Sequence, residues 1–319
     1  MLKLLRNGAP AFDVPSPETG WHLPPDTVWI ELIEPTRAEE LLVEQALGVL
    51  LPTREEMAEI EASSRLYQED GATFMTATIL HNADEEEPSS SPVTFVLAAE
   101  RLVTIRYIEP RAFTIFAAQA ERQASLCPTG THAFLGLLDA VVDRTADILE
   151  RTSGEVETSS RSIFKRPREG GFEQILTRLG RSQSLNAKAR DSLVSLARLI
   201  SFASLSEQIE TNRDHRDHLK SLQRDVQSLT DHSSYLSSNI TFLLDAALGL
   251  INIEQNAIIK IFSVAAVVFL PPTLVASIYG MNFEQMPELK FVHGYPMALV
   301  IMVISAVVPL WWFRKKGWL

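Results

Sequence analysis

The chain has a single cysteine, Cys127, among its 319 residues. That excludes an intrachain disulfide and any cysteine-rich zinc site. It also lacks the spacings that carry chemistry: no glycine-rich phosphate loop follows a strand, and there is no nucleophile elbow and no HExxH. No catalytic constellation is legible, so the expectation is a protein that is not an enzyme and needs no organic cofactor. Basic residues are few, 29 against 40 acidic, for a net charge of −11. Such a balance repels phosphates and excludes nucleic acid as a partner. Between Met1 and Pro10, Lys3 and Arg6 stand without the apolar stretch of a cleavable signal peptide. Finally, charge is missing altogether from Ile261 to Phe283 and again from Tyr295 to Phe313.

Each uncharged run is about 20 residues long, the length at which a helix spans the roughly 30 Å hydrocarbon layer. Two in succession, the second closed by Arg314, Lys315 and Lys316, predict a transmembrane hairpin rather than two core helices of a soluble protein. Membrane insertion is then expected to rest on these spans, at about 257–280 and 295–313, with an outer loop at 281–294. Lys260 opens the first span, whereas the loop carries Glu284, Glu288 and only Lys290. The positive-inside rule therefore predicts both termini in the cytoplasm. Trp311, Trp312 and Trp318 bracket the basic cluster as an interfacial belt would. From Ala257 onward five basic residues oppose two acidic ones, so the rest of the chain carries 24 against 38, or −14. That acidity suits attraction of cations, and equally an ordinary soluble surface.

Upstream, TVWIEL (Thr27 to Leu32) alternates as a strand does, and the apolar period of Arg37 to Leu47 is helical. Thr53 and Glu56 form a capping box ahead of a short helix. Ala72 to Leu80, Thr94 to Ala98 and Leu102 to Ile108 read as strands, and Asp84 to Pro92 as an exposed turn. This predicts an α/β domain over residues 1–125. From His132 glycine and proline thin out, and a helical stalk is expected over 126–255. Its helices run from His132 to Ser160, from Phe172 to Ala203, and from Leu205 to Gly280, the last broken only at Gly249 and Pro271-Pro272. Leu219, Leu222, Val226 and Leu229 recur as on a packed face. The fold class is therefore α+β: an α/β domain, long stalk helices, and a two-helix membrane hairpin over 256–319.

Stepping alternately by three and four from Asn256 gives Ile259, Ser263, Ala266, Leu270, Thr273, Ser277 and Gly280, and backwards Asn252, Gly249 and Asp245. Asp245 and Asn256, eleven residues apart, share a face. The stripe gathers the small and hydroxyl residues of the span, as a pore lining would. Helix packing in lipid gathers the same types.

The first span ends in Tyr279-Gly280-Met281-Asn282-Phe283, followed by Met286-Pro287-Glu288-Leu289, the second span and a Lys-Lys-Gly-Trp-Leu end. This succession resembles the CorA family of divalent-cation transporters, most tightly from about Tyr235 to Leu319. The resemblance implies a homopentamer in the bacterial inner membrane, with the stalk helices lining a funnel. It also implies influx of Mg²⁺, with Co²⁺ and Ni²⁺ passing too. Gly280, Met281 and Asn282 become the selectivity filter, and Asp245, Asn252, Asn256, Ile259, Ser263, Leu270, Thr273 and Ser277 the pore lining. Glu288 would gather cations outside. In the family, cytoplasmic Mg²⁺ held by acidic side chains between protomers closes the pore. The matching stalk position here is Ser221, and Asp214, Asp217 and Asp225 stand near it as substitutes. His215 and His218 share a helix face and suit either a transition metal or solvent. A zinc transporter of the ZntB kind, and a membrane-anchored sensor or scaffold, are the alternatives.

Overall fold

A computed structural model of the chain describes residues 1–6, 9–14, 21–85, 87–165, 171–284 and 286–317. Trp318, placed above in the aromatic belt, lies outside them. Two compact units divide between Leu244 and Asp245.

In the first unit, strands β1 (Leu2–Arg6), β2 (Ala9–Val14), β3 (Thr27–Ile33), β4 (Leu66–Glu69), β5 (Ala72–His81), β6 (Ser89–Ala98) and β7 (Arg101–Arg106) build one sheet in the order β2-β1-β3-β7-β6-β5-β4. Every neighbouring pair is antiparallel except β3 with β7. Alternation sends Leu4, Ile30, Leu32, Val96 and Val103 to one face. There they pack with Val43 of α1 (Arg37–Leu47) and Met57 of α2 (Arg54–Ala58); the single turn α3 (Ala62–Arg65) leads into β4. On the other face Trp29 meets Phe113 and Phe116 of α4 (Arg111–Arg122), and Phe95 meets Phe134 of α5 (Gly130–Phe164). Helices packed on both faces of the sheet make a three-layer domain.

Helix α6 (Gly171–Ala203) packs with α5 and holds the last long helix. The Asn186 amide donates to the Ser233 carbonyl at 2.9 Å, and the Ser233 hydroxyl returns a bond to Asn186 Oδ1 at 3.0 Å. Leu219, Leu222 and Val226 are buried and Leu229 half-buried, so this stretch has partners within its own chain.

Several expectations need correction. The long helix does not begin at Leu205. A short α7 (Glu207–Glu210) intervenes, and α8 runs from Arg213 to Tyr279. Asn212 is the reason: its Oδ1 accepts from the backbone amides of Asp214, at 2.9 Å, and His215, a side-chain cap for the first helical turn. Neither Gly249 nor Pro271-Pro272 breaks α8. Two missing amides are tolerated in an otherwise complete ladder, as membrane helices allow. The turn expected to reach Pro92 stops at Pro88, because β6 already begins at Ser89. Pro92 pairs only towards β5, opposite Thr78, since β7 joins β6 from Val93 onward. Its missing N–H therefore faces an open edge. Strands β1, β2 and β4 and helix α4 have no counterpart in the sequence reading. Each of these strands has six residues or fewer, too short to show a period, and β2 and β4 are the two edges of the sheet. The capping box expected at Thr53 with Glu56 is present, and a second, at Thr36 with Glu39, opens α1 without having been read from the sequence.

In the second unit the remainder of α8 leads through a 3₁₀ turn, Pro287–Lys290, to α9 (Gly294–Lys315). None of the most apolar stretch of α8 is buried, and little of that of α9. Core helices of a soluble domain would be covered.

Beneath the sheet, Arg106 and Glu31 form an ion pair at 3.1 Å with both side chains buried. Burial pushes the Glu31 carboxyl up, and Arg106 pulls it back. Removing one member strands the other charge. Arg106→Met is expected to cost about 3–5 kcal/mol, with most of it recovered in the Glu31→Leu/Arg106→Met double variant. Thermal unfolding of the detergent-solubilised chain checks this, and a single variant as stable as the parent would contradict it. At the surface, the hydrogen bond from Arg151, with Arg144 beside it, holds the Asp84 carboxyl below its usual range. A depressed carboxyl contributes stability above its unfolded pKa and loses it as pH falls through the folded one. Asp84→Asn should therefore cost about 0.5–1 kcal/mol at neutral pH, the carboxylate being half exposed. The difference should vanish on acidification below the ordinary aspartate range.

Candidate ion pathway

The half-buried residues of the first span are Val264, Ala265, Val268, Pro271, Pro272, Val275 and Tyr279, a single stripe at helical spacing. The buried and half-buried residues of α9, Gly294, Ala298, Met302, Ser305, Ala306, Pro309 and Phe313, form a matching stripe. This is the pattern of two hairpin helices packed on each other. At about 100° per residue, Leu270 lies roughly 200° round from Val268, and Ser277 roughly 200° from Val275. The stripe read from the sequence is thus diametrically opposite the covered one. Asp245, Asn252, Asn256, Ile259, Ser263, Leu270, Thr273 and Ser277 are all exposed.

Polar groups on that bare face are partly committed. The Thr273 hydroxyl donates to the Phe269 carbonyl at 2.7 Å, one turn back, and keeps its lone pairs free. Pro271 and Pro272 have no amides for the carbonyls of Val267 and Val268.

The first span closes at Gly280, whose amide donates to the Ala276 carbonyl at 2.9 Å, and at Met281, which donates to Ile278. Gly280 is not among the glycines in the left-handed region. A Cβ there would lie 3.1 Å from the Ala276 oxygen of the preceding turn, a tight contact. Met281 and Asn282 follow, exposed and outside any regular element. Glu288 sits exposed in the 3₁₀ turn. Gly294 secures that turn to the start of α9, since a Cβ there would stand 2.5 Å from the Glu288 carbonyl oxygen. The sequence reading passed over Gly294; a glycine directly before the Tyr-Pro that opens the second span was the available signal.

The acidic candidates of the stalk fare differently. Asp214, Asp217 and Asp225 are exposed, and Asp217 pairs with Arg213 and Lys220 at 3.7 and 3.8 Å. Among the described residues no three His, Cys, Asp or Glu side chains gather closely enough to hold a metal ion. Asp225 instead stands with Asp139 and Asp143 of α5. Burial pushes the Asp139 carboxyl up, His218 opposes this, and Asp143 and Asp225 add to it. The reading of His215 and His218 as one exposed face needs revision. His215 is buried, 8% exposed, whereas His218 Nε2 donates to Asp139 Oδ2 at 2.7 Å.

A three-layer α+β domain, a helix of 67 residues and a two-helix apolar hairpin define a membrane protein of two spans. The chain belongs to the CorA-like Mg²⁺ transporter family, whose model matches residues 25–315. It is 36% identical over 292 residues to the magnesium transport protein CorA of Pasteurella multocida, covering 92% of each chain. It is also 36% identical over 294 residues to that of Escherichia coli K12, again covering 92% of each. The CorA magnesium transporter of Methanocaldococcus jannaschii shares the fold, with a TM-score of 0.75 at 18% identity, covering 100% of this chain and 99% of that one.

Cys127 is buried, and burial pushes its thiol up to about 11, which leaves it inert to thiol reagents at neutral pH. Single cysteines introduced at Asn256, Ser263 or Ser277 should react with a water-soluble thiol reagent in the membrane. Cysteines at Val268 and Val275 should not, and the reverse order would overturn the assignment of faces.

Proposed function

We propose that the protein is a Mg²⁺ influx channel of the bacterial inner membrane, which also passes Co²⁺ and Ni²⁺. The observation that carries this reading is the bare polar stripe of α8. It lies opposite the hairpin's own packing face and ends at Gly280-Met281-Asn282. The two relatives at 36% identity, both named magnesium transport proteins, support the choice of ion. They also weigh against the zinc reading, as does the absence of His and Cys from the stripe.

In this reading five copies close around the stripe, with both termini in the cytoplasm. Rings of Asp245 gather cations, Asn252 and Asn256 offer amides, and Ile259 and Leu270 form apolar collars that gate by dewetting. Ser263, Thr273 and Ser277 supply hydroxyls between them. Mg²⁺ gives up its waters reluctantly. Neutral oxygens therefore serve better than carboxylates: the Asn282 amide and the carbonyls of Gly280 and Met281 accept the hydrated ion through its own water hydrogens. Glu288 raises the cation concentration at the outer mouth. The inside-negative potential supplies about 2.3 kcal/mol per charge per 100 mV, roughly twice that for a divalent ion, so no nucleotide is needed. Cytoplasmic Mg²⁺ closes the pore through acidic side chains between protomers, with Asp214, Asp217 and Asp225 as the candidates.

The test is Mg²⁺ flux into liposomes holding the purified protein, under an inside-negative potential, with cobalt hexammine outside as a mimic of hydrated Mg²⁺. Influx blocked by the mimic is expected, and Zn²⁺ flux without Mg²⁺ flux would overturn the reading. Asn282→Ala should abolish uptake while leaving the assembly intact. Full transport by that variant would remove the filter from these residues.

A further inference from the structure

Where α8 enters its apolar stretch it carries a groove of about 550 Å³, lined by Ala257, Ile261, Val264, Ala265, Val268 and Phe269, with Lys260 as the one charged side chain. Val264, Ala265 and Val268 belong to the half-buried side of the span, so the groove lies away from the polar stripe. Its mouth is bare: Ala257, Lys260 and Ile261 are exposed. A slot of apolar surface with an ammonium at one end has the two halves of a lipid site, one for an acyl chain and one for a phosphate.

The second span brings more cations to the same level. Lys260 stands 20 residues before Gly280, and Arg314 stands 20 residues after Gly294. Each therefore lies roughly 30 Å along its helix from the connecting loop. Arg314, Lys315 and Lys316 are exposed. The Lys315 ammonium sits 5.3 Å from the centre of the Trp311 ring, and that of Lys316 6.0 Å from Trp312. Indoles gather at the depth of the lipid headgroups, and these two hold their ammoniums there. None of the four cations has an ion pair among the described residues. The nearest carboxylate along α8, Glu254, is six residues back, roughly 240° round the helix from Lys260. The last carbonyls of α9 oppose an anion here, and the three cations beside them outweigh that partial charge.

We propose that the groove seats an anionic phospholipid, with one acyl chain along Ala257 to Phe269 and its phosphodiester between Lys260 and the cluster of Arg314, Lys315 and Lys316. Four unpaired cations select a net negative headgroup over a zwitterionic one, whose own cation cancels the attraction. The apolar slot selects a lipid over a free phosphate. Bound there, the lipid ties the start of the first span to the end of the second, at the end of the hairpin that the loop does not join. The site is on the side of α8 away from the polar stripe and its readout is lipid occupancy, so it stands or falls independently of the transport reading.

The experiment uses the full chain in vesicles of phosphatidylcholine, into which phosphatidylcholine or phosphatidylglycerol with dibrominated acyl chains is titrated. Bromine quenches tryptophans beside the acyl region, here Trp311 and Trp312, and leaves Trp29, buried in the sheet domain, unaffected. Quenching should favour phosphatidylglycerol by at least about fivefold, the preference that a single cation near the surface confers. That preference should fall towards parity in Lys260→Gln/Lys315→Gln and persist in Lys290→Gln, which removes the cation of the connecting loop. Ala257→Phe, at an exposed position, fills the mouth of the groove with every cation left in place, and should lower the preference equally. Equal quenching by the two lipids in the parent chain would overturn the proposal, as would a preference retained in the double variant. Retention in Ala257→Phe would overturn it too, by leaving only interfacial charge. So would displacement of the lipid by glycerol phosphate, which has a headgroup and no acyl chain.

Discussion

A membrane span that shows Asn256, Ser263, Thr273 and Ser277 on a face its own hairpin partner leaves bare cannot rest in hydrocarbon at low cost. Polar side chains in the bilayer need water, other polar groups or neighbouring helices. This constraint governs the rest. One face of α8 is half-buried and the other is bare; in the transport reading proposed above, the bare face is the one that copies of the chain turn towards an aqueous path.

The same helix has to be held where it leaves the sheet domain, and there the chemistry is of another kind. Buried Asn186 and Ser233 exchange two hydrogen bonds across α6 and α8, and Leu219, Leu222 and Val226 give that segment an apolar seat. Buried polar pairs of this sort set register more than they add stability. The acidic groups that attract attention in the sequence are meanwhile spread over solvent or tied to basic neighbours, as Asp217 is to Arg213 and Lys220.

Much was legible because it depends on local periodicity. Charge-free runs marked both spans, alternation marked β3, β5 and β7, and Thr53 with Glu56 marked a helix start to the residue. The three-and-four stepping from Asn256 picked out a stripe that is exposed throughout. What was missed depends on single side chains or on distant pairing. Asn212 starts α8 eight residues later than periodicity suggested, because one side-chain oxygen captures two amides. The short strands β1 and β2 are recognisable only from their partners in the sheet. Pro92 reads as a turn residue until the open edge it faces is known.

By itself the sequence determined the two spans, their order after an α/β region, the polar stripe and the Gly280-Met281-Asn282 end of the first span. Each is a property of spacing along one helix or of composition over one window. Only the tertiary structure decided which face of that span is half-covered, that Gly294 has no room for a Cβ beside the Glu288 carbonyl, and that His215 lies buried against His132. Those outcomes depend on which surfaces meet, and residues such as His132 and His215, far apart in the chain, share no local pattern that would announce it.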